Sequence, residues 1–178
     1  MRKLFAILIT FTSLQSCNDG DIIATNFNFD DVALKTCGGV GNYVFYKENT
    51  QSFESISLRL GVTDNIYATA ETRTYPLNAS SNFVNYRRYD GALGNNYFCN
   101  SIPPASPKIL DDYKAVSGSA VVIVTFDYDD GTPGQTTIHK DVQIILKDLV
   151  LVKDDEQIII ETLDMGTIED VVVQLVTP

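Results

Sequence analysis

The stretch from Glu54 to Leu60 (ESISLRL) alternates without a fault: Ile56, Leu58 and Leu60 fall on one side, Ser55, Ser57 and Arg59 on the other. A period of two marks a half-buried β-strand, because successive side chains of an extended backbone point to opposite faces. Other strand signals follow along the chain. Asn42 to Lys47 holds Tyr43, Val44, Phe45 and Tyr46, all strong strand formers. Tyr67 to Tyr75, closed by Pro76, and Asn82 to Tyr89 are further strands, and a first one is expected near Ile22 to Phe27. From Ser119 to Tyr128, Ala120, Val122, Val124, Phe126 and Tyr128 share a face, while Val121 and Ile123 opposite them yield to Thr125 and Asp127. Such a strand is covered on both sides at its start and emerges at its end. Asp129-Asp130-Gly131-Thr132-Pro133-Gly134 is turn chemistry. Gln135 to Lys147 then returns as a second hairpin arm, with Ile138, Val142, Ile144 and Leu146 inward and His139 among polar neighbours outward. Leu149 to Val152, Gln157 to Leu163 and Asp170 to Val176 read as separate short strands. Asp90 to Asp112, with Gly91, Gly94, Pro103, Pro104 and Pro107, reads as a long irregular connection. No segment carries three turns of helical amphipathicity. About eight to ten strands at short intervals predict an all-β, antiparallel two-sheet β-sandwich, broadly immunoglobulin-like.

Composition narrows the function classes. Hydrophobic residues make up 44% and charged residues 20%, which suits a globular domain rather than a disordered chain. The formal charge is −10, so the surface repels phosphate backbones and no nucleic-acid partner is expected. No apolar run reaches the roughly 18 residues that a membrane-spanning helix needs.

The start of the chain has its own logic. Met1 to Lys3 is basic, Leu4 to Phe11 is apolar apart from Thr10, and Leu14-Gln15-Ser16-Cys17 follows. A charged start, an apolar segment too short to span a bilayer and a small residue before a break form a secretory signal. With a cysteine at the break, the segment resembles a bacterial lipoprotein signal, whose lipobox reads Leu-x-small-Cys. The resemblance covers residues 1–17. It implies cleavage before Cys17, a diacylglyceryl thioether on its sulfur and acylation of its new amino group. The alternative is an ordinary signal peptide, with Cys17 free or in a disulfide. Cleavage would also remove Arg2 and Lys3 and make the net charge two units more negative. The organisation expected is a signal peptide over 1–16, a lipidated tether over 17–31 and a single β-sandwich domain over 32–178. Asn18, rather than Asp, follows the cysteine, which in Gram-negative lipoproteins implies the outer membrane. The acids Asp19 and Asp21 loosely resemble the export signal of surface lipoproteins in Bacteroidota. The membrane is then a partner through the N-terminal lipid.

An oxidising compartment makes the remaining cysteines informative. Cys37 and Cys99 are an even number and are expected to pair, with two free buried thiols as the alternative. In the chain-entropy model, closing so long a loop stabilises a fold by on the order of 4 kcal/mol.

Chemical motifs are few. Asp127, Asp129 and Asp130 form a weak calcium candidate at a hairpin tip. The EF-hand spacing fails, because Thr132 stands where its glycine belongs and Ile138 where its bidentate acid belongs. No other metal site and no cofactor is expected. The lone His139 and the lack of a Gly-x-Ser-x-Gly segment leave nucleophilic catalysis unsupported. The richest cluster is Tyr86-Arg87-Arg88-Tyr89, followed by Asn95, Asn96 and Tyr97. Tyrosine and arginine are common anchors of recognition surfaces, so Tyr86, Arg87, Arg88 and Tyr89 are candidate ligand contacts. A regular strand, however, points Tyr86 and Arg88 one way and Arg87 and Tyr89 the other. Two function classes remain. The first is a lipid-anchored, non-catalytic binding or structural module at the outer membrane or cell surface, whose partner is an outer-membrane protein or a glycan. The second is a carboxylate-dependent, glycosidase-like hydrolase on the same scaffold.

Overall fold

The computed structural model describes residues 21–22, 29–100, 102, 104–129 and 137–174. Among them the chain is all-β: β1 (Asp21–Ile22), β2 (Lys35–Gly39), β3 (Asn42–Asn49), β4 (Glu54–Leu60), β5 (Thr72–Pro76), β6 (Asn82–Tyr89), β7 (Ile109–Asp129), β8 (Thr137–Lys153) and β9 (Glu156–Gln174). Cys17, the lipobox, most of the expected Ile22 to Phe27 strand, and Asp130 with the rest of the hairpin tip lie outside the described residues.

The strands form one hydrogen-bonded path, β1-β9-β8-β7-β6-β4-β3-β2, with β5 added beside β7. Every pairing is antiparallel except that of β1 with β9. The sheet curls because its long strands change face partway along. In β7 the core side chains are Tyr113 and Ala115, then Ala120, Val122 and Val124, so the inward parity switches between them. In β8 it switches between Leu146 and Leu149. Gly118 (φ +124°) and Asp148 (φ +51°) sit at the two switches, where a left-handed residue bends the strand and re-aims those beyond it. The register shifts there as well, between Ala115 and Ser117 and between Ser117 and Ser119. Before the bend β7 pairs with β6, from Ile109 to Lys114; beyond it β7 pairs with β5, from Ser119 to Ile123. The concave side therefore stays apolar along the whole curl. It holds Tyr43 and Phe45 of β3, Ile56, Leu58 and Leu60 of β4, and Val142, Ile144 and Leu146 of β8. Burying one such side chain fully contributes about 1.5–3 kcal/mol.

Several expectations change at these bends. Leu149 to Val152 is the far end of β8, not a separate strand, and Gln157 to Leu163 and the described part of the last expected strand, Asp170 to Gln174, belong to one strand, β9. The irregular connection ends at Lys108, since β7 begins at Ile109, well before the first clear alternation at Ser119. In the segment from Tyr67, only Thr72–Pro76 is strand, and Lys35–Gly39 is a strand without a signal in the sequence pattern.

Two lysines point inward. Lys140, 4% exposed, occupies the inward register between Ile138 and Val142, and its Nζ donates to the carbonyls of Tyr67 (2.7 Å) and Ala68 (2.8 Å). It ties the loop before β5 to β8. Lys47, 5% exposed, continues the inward face of Tyr43 and Phe45, and its ammonium has no hydrogen bond or ion pair among the described residues. Burial lowers its pKa, against the pull of Asp164 and Asp30.

Candidate binding trough

The convex face of β2, β3, β4, β6 and the start of β7 carries the side chains that alternate with the core. Pairing sets them in rows across the sheet. One row is Cys37, Val44, Arg59 and Phe83; the next is Lys35, Tyr46, Ser57, Asn85 and Lys114; the third is Glu48, Ser55, Arg87 and Asp112. Cross-strand neighbours in such rows stand about 5 Å apart, so each row is a set of adjacent side chains.

The segment Tyr97 to Asn100 lies over this face. The Cys37–Cys99 disulfide pins it to β2, with the two Cα atoms 5.8 Å apart, as the cysteine count predicts. Phe98 packs on Tyr46 (ring centroids 4.5 Å apart) and Tyr97 packs edge-on against Tyr89 (5.6 Å). Beneath them the Ser55 and Tyr89 hydroxyls share a hydrogen bond of 3.0 Å, and burial, the largest cause, pushes the Tyr89 phenol up to about 12. The loop closes at its base where the Lys108 amide donates to the Asp90 carboxylate (2.8 Å).

Beside that flap runs a trough of three adjoining cavities. The central one, about 280 Å³, is lined by Arg59, Phe83, Asn85, Arg87, Tyr97 and Phe98, among others. A cavity of about 360 Å³ continues it past Arg59 to the disulfide, and another of about 280 Å³ continues it past Asn85 and Arg87 to Lys114. Among the described residues no carboxylate lines any of the three. Asp112 stands at the rim, bound by Arg87 through Nε (2.7 Å) and Nη2 (3.3 Å) and approached by Lys114 (3.8 Å). The Arg59 guanidinium lies 5.6 Å from the centre of the Phe83 ring and has no ion pair among the described residues. Asn85 is only 9% exposed, and its side chain has no hydrogen bond among the described residues.

The clustered residues of the sequence separate as strand alternation requires. Arg87 lines the trough, and Tyr89 supports its flap from below. Tyr86 is a correction: at 2% exposure it belongs to the core, edge-on to Phe29, and is out of a ligand's reach. Arg88 faces away from Arg87 and pairs with Asp111 (3.1 Å) and Glu54 (3.7 Å). Sequence reasoning misses Arg59, Asn85 and Lys114, because their meeting depends on β4 pairing with β6 and β6 with β7. Asp127 is exposed near the end of β7, where Asp129 closes the strand. Among the described residues no group of three His, Cys, Asp or Glu side chains is placed to hold a metal. His139 is not an open surface residue: its Nδ1 meets Asp170 across β8 and β9, and only 12% of its side chain is exposed.

In comparisons with protein-family models, curated proteins and solved structures, none matches this chain.

Proposed function

We propose that this protein is a lipid-anchored binding module of the outer membrane or cell surface, held by Cys17 and engaging a ligand with its convex trough. In this reading the two halves of the bent strands β7, β8 and β9 act as the two layers of a sandwich, broadly immunoglobulin-like. The observation that carries the binding role is Asn85: among the described residues its amide has no partner, and it lines a cavity between two arginines, where its donors and acceptor are open to a ligand. The make-up of the lining favours binding over hydrolysis. Glycoside hydrolysis needs a pair of carboxyl groups across the scissile bond, and the trough lining supplies arginine, amide and aromatic side chains instead.

The test is retention of a partner from the native envelope. Full-length protein, recovered in detergent from solubilised outer membranes, is expected to keep a glycan or an outer-membrane protein that an Asn85→Ala, Arg59→Gln double variant loses. Equal recovery with the variant, or nothing retained by either, contradicts the reading.

A further inference from the structure

We infer that the trough takes an acidic oligosaccharide, a run of carboxylate-bearing sugar rings laid across β3, β4 and β6; the inference rests on the binding-module reading and names its ligand class. Charge gives the sign. In a chain of net charge −10, the trough and its rim gather Arg59, Arg87 and Lys114 beside Asp112, while Glu48, farther along the Asp112 row, is paired with Lys35 among the described residues. A cationic patch on an acidic surface concentrates anions at that place. Arg59 is the side chain held ready, because no acid neutralises it among the described residues and a guanidinium grips a carboxylate through two parallel hydrogen bonds.

The remaining lining points to a sugar. The Asn85 amide offers both donors and an acceptor, which matches a hydroxyl that also donates and accepts. Ser57 stands next to it in the same cross-strand row. Phe83 and Phe98 supply ring surface for the C–H face of a saccharide. A peptide is disfavoured by the backbone. Among the floor strands, β4 is paired on both sides along its whole length and β3 and β6 along most of theirs, so little open edge is left for strand addition. Size agrees too: cavities of about 280 to 360 Å³ are each close to the lower limit for small-molecule sites, and three in series suit successive rings of a chain.

Calorimetric titration of the full-length protein in detergent tests this with three kinds of probe. These are acidic oligosaccharides (oligogalacturonate, oligoguluronate and hyaluronan fragments), a neutral galactose oligomer of equal length, and a hexaglutamate peptide. An acidic oligosaccharide is expected to bind at least about tenfold more tightly than the neutral oligomer or the peptide, and to weaken as salt rises. Arg59→Gln is expected to weaken that binding about tenfold or more, and Asn85→Ala likewise. Arg59 is exposed, so its variant keeps the fold even if Asn85→Ala does not, and thermal melting checks both. Equal binding of the neutral oligomer overturns the acidic assignment and leaves the binding-module reading standing. Tighter binding of the peptide overturns the sugar class. Binding indifferent to Arg59→Gln removes the ligand from the trough. Binding of none of the probes overturns the inference, while envelope retention judges the broader reading on its own.

Discussion

Lys47 and Lys140 place the same side chain on the same inner face with opposite consequences. The Lys140 ammonium donates to two carbonyls, although burial lowers its pKa too, and Lys47 has, among the described residues, longer-range attraction from Asp164 and Asp30 without a hydrogen bond. Lys140→Met is therefore expected to destabilise the protein by about 1–3 kcal/mol, since it strands two carbonyls and frees a loop. Lys47→Met is expected to stabilise it by about 1 kcal/mol, because a poorly compensated buried charge is removed. Urea denaturation of both variants checks the contrast. The Lys47 effect also has a pH signature. Burial lowers its folded pKa below the ordinary 10.5, so the unfolded chain binds the extra proton between the two values. The cost of Lys47 is then fully present below its folded pKa and fades as pH rises towards 10.5. The phenols act with the opposite sign. Tyr89 and Tyr113 are pushed up to about 12, in both cases chiefly by burial, from an ordinary 10.0. Their contribution is present below pH 10 and is lost as pH rises from there towards 12. Absorbance at the phenolate band is expected to rise together with loss of the β-sheet circular dichroism signal. Early ionisation of all phenols in a folded protein contradicts the burial described.

At the scale of elements, the bends in β7 and β8 decide the shape. A Cβ on Gly118 would lie 2.9 Å from the Lys147 carbonyl oxygen and 3.1 Å from that of Asp148, and φ there is +124°. Gly118→Ala is expected to cost about 2 kcal/mol or more, because backbone atoms cannot yield as a flexible side chain does. Gly39→Ala, with nothing near its Cβ, is expected to be almost neutral by the same thermal melt. The flap provides a second check. Replacing Cys37 and Cys99 by alanine is expected to cost about 2–4 kcal/mol in urea denaturation and to leave the sheet signal unchanged. These elements also show what a sequence can convey. The sequence locates β4, by its alternation, and β6 to the residue, and Ile56, Leu58 and Leu60 are all in the core. The long strands read as separate pieces because their parity reverses at Gly118 and Asp148, and a reversed parity looks like a strand end. The cysteine pair is legible from the even count that remains once Cys17 is read as the lipobox cysteine. The trough is legible only in part: Arg87 stands out, but Arg59 and Asn85 look like ordinary outward residues of separate strands. Only the pairing of β4 with β6 puts them on one surface. Lys140 carries no signal of its own, although the inward register of β8 includes it.

For the molecule as a whole, the proposed function joins a curled sheet with a cationic trough to a membrane through one residue, Cys17. One acyl chain holds a protein only marginally, and two or more signals hold it stably, at about 0.8 kcal/mol for each buried CH₂. A triacylated Cys17 would therefore keep the domain at the bilayer without a spanning helix, and a trough selective for acids could then work on whatever the envelope displays. The most direct test is intact mass and N-terminal peptide mass spectrometry of the native protein. The native chain is expected to begin at Cys17 and to carry a diacylglyceryl thioether and an amide-linked acyl group. A chain that retains Leu14-Gln15-Ser16, or one that carries Cys17 as a free thiol or a disulfide, would contradict the proposal.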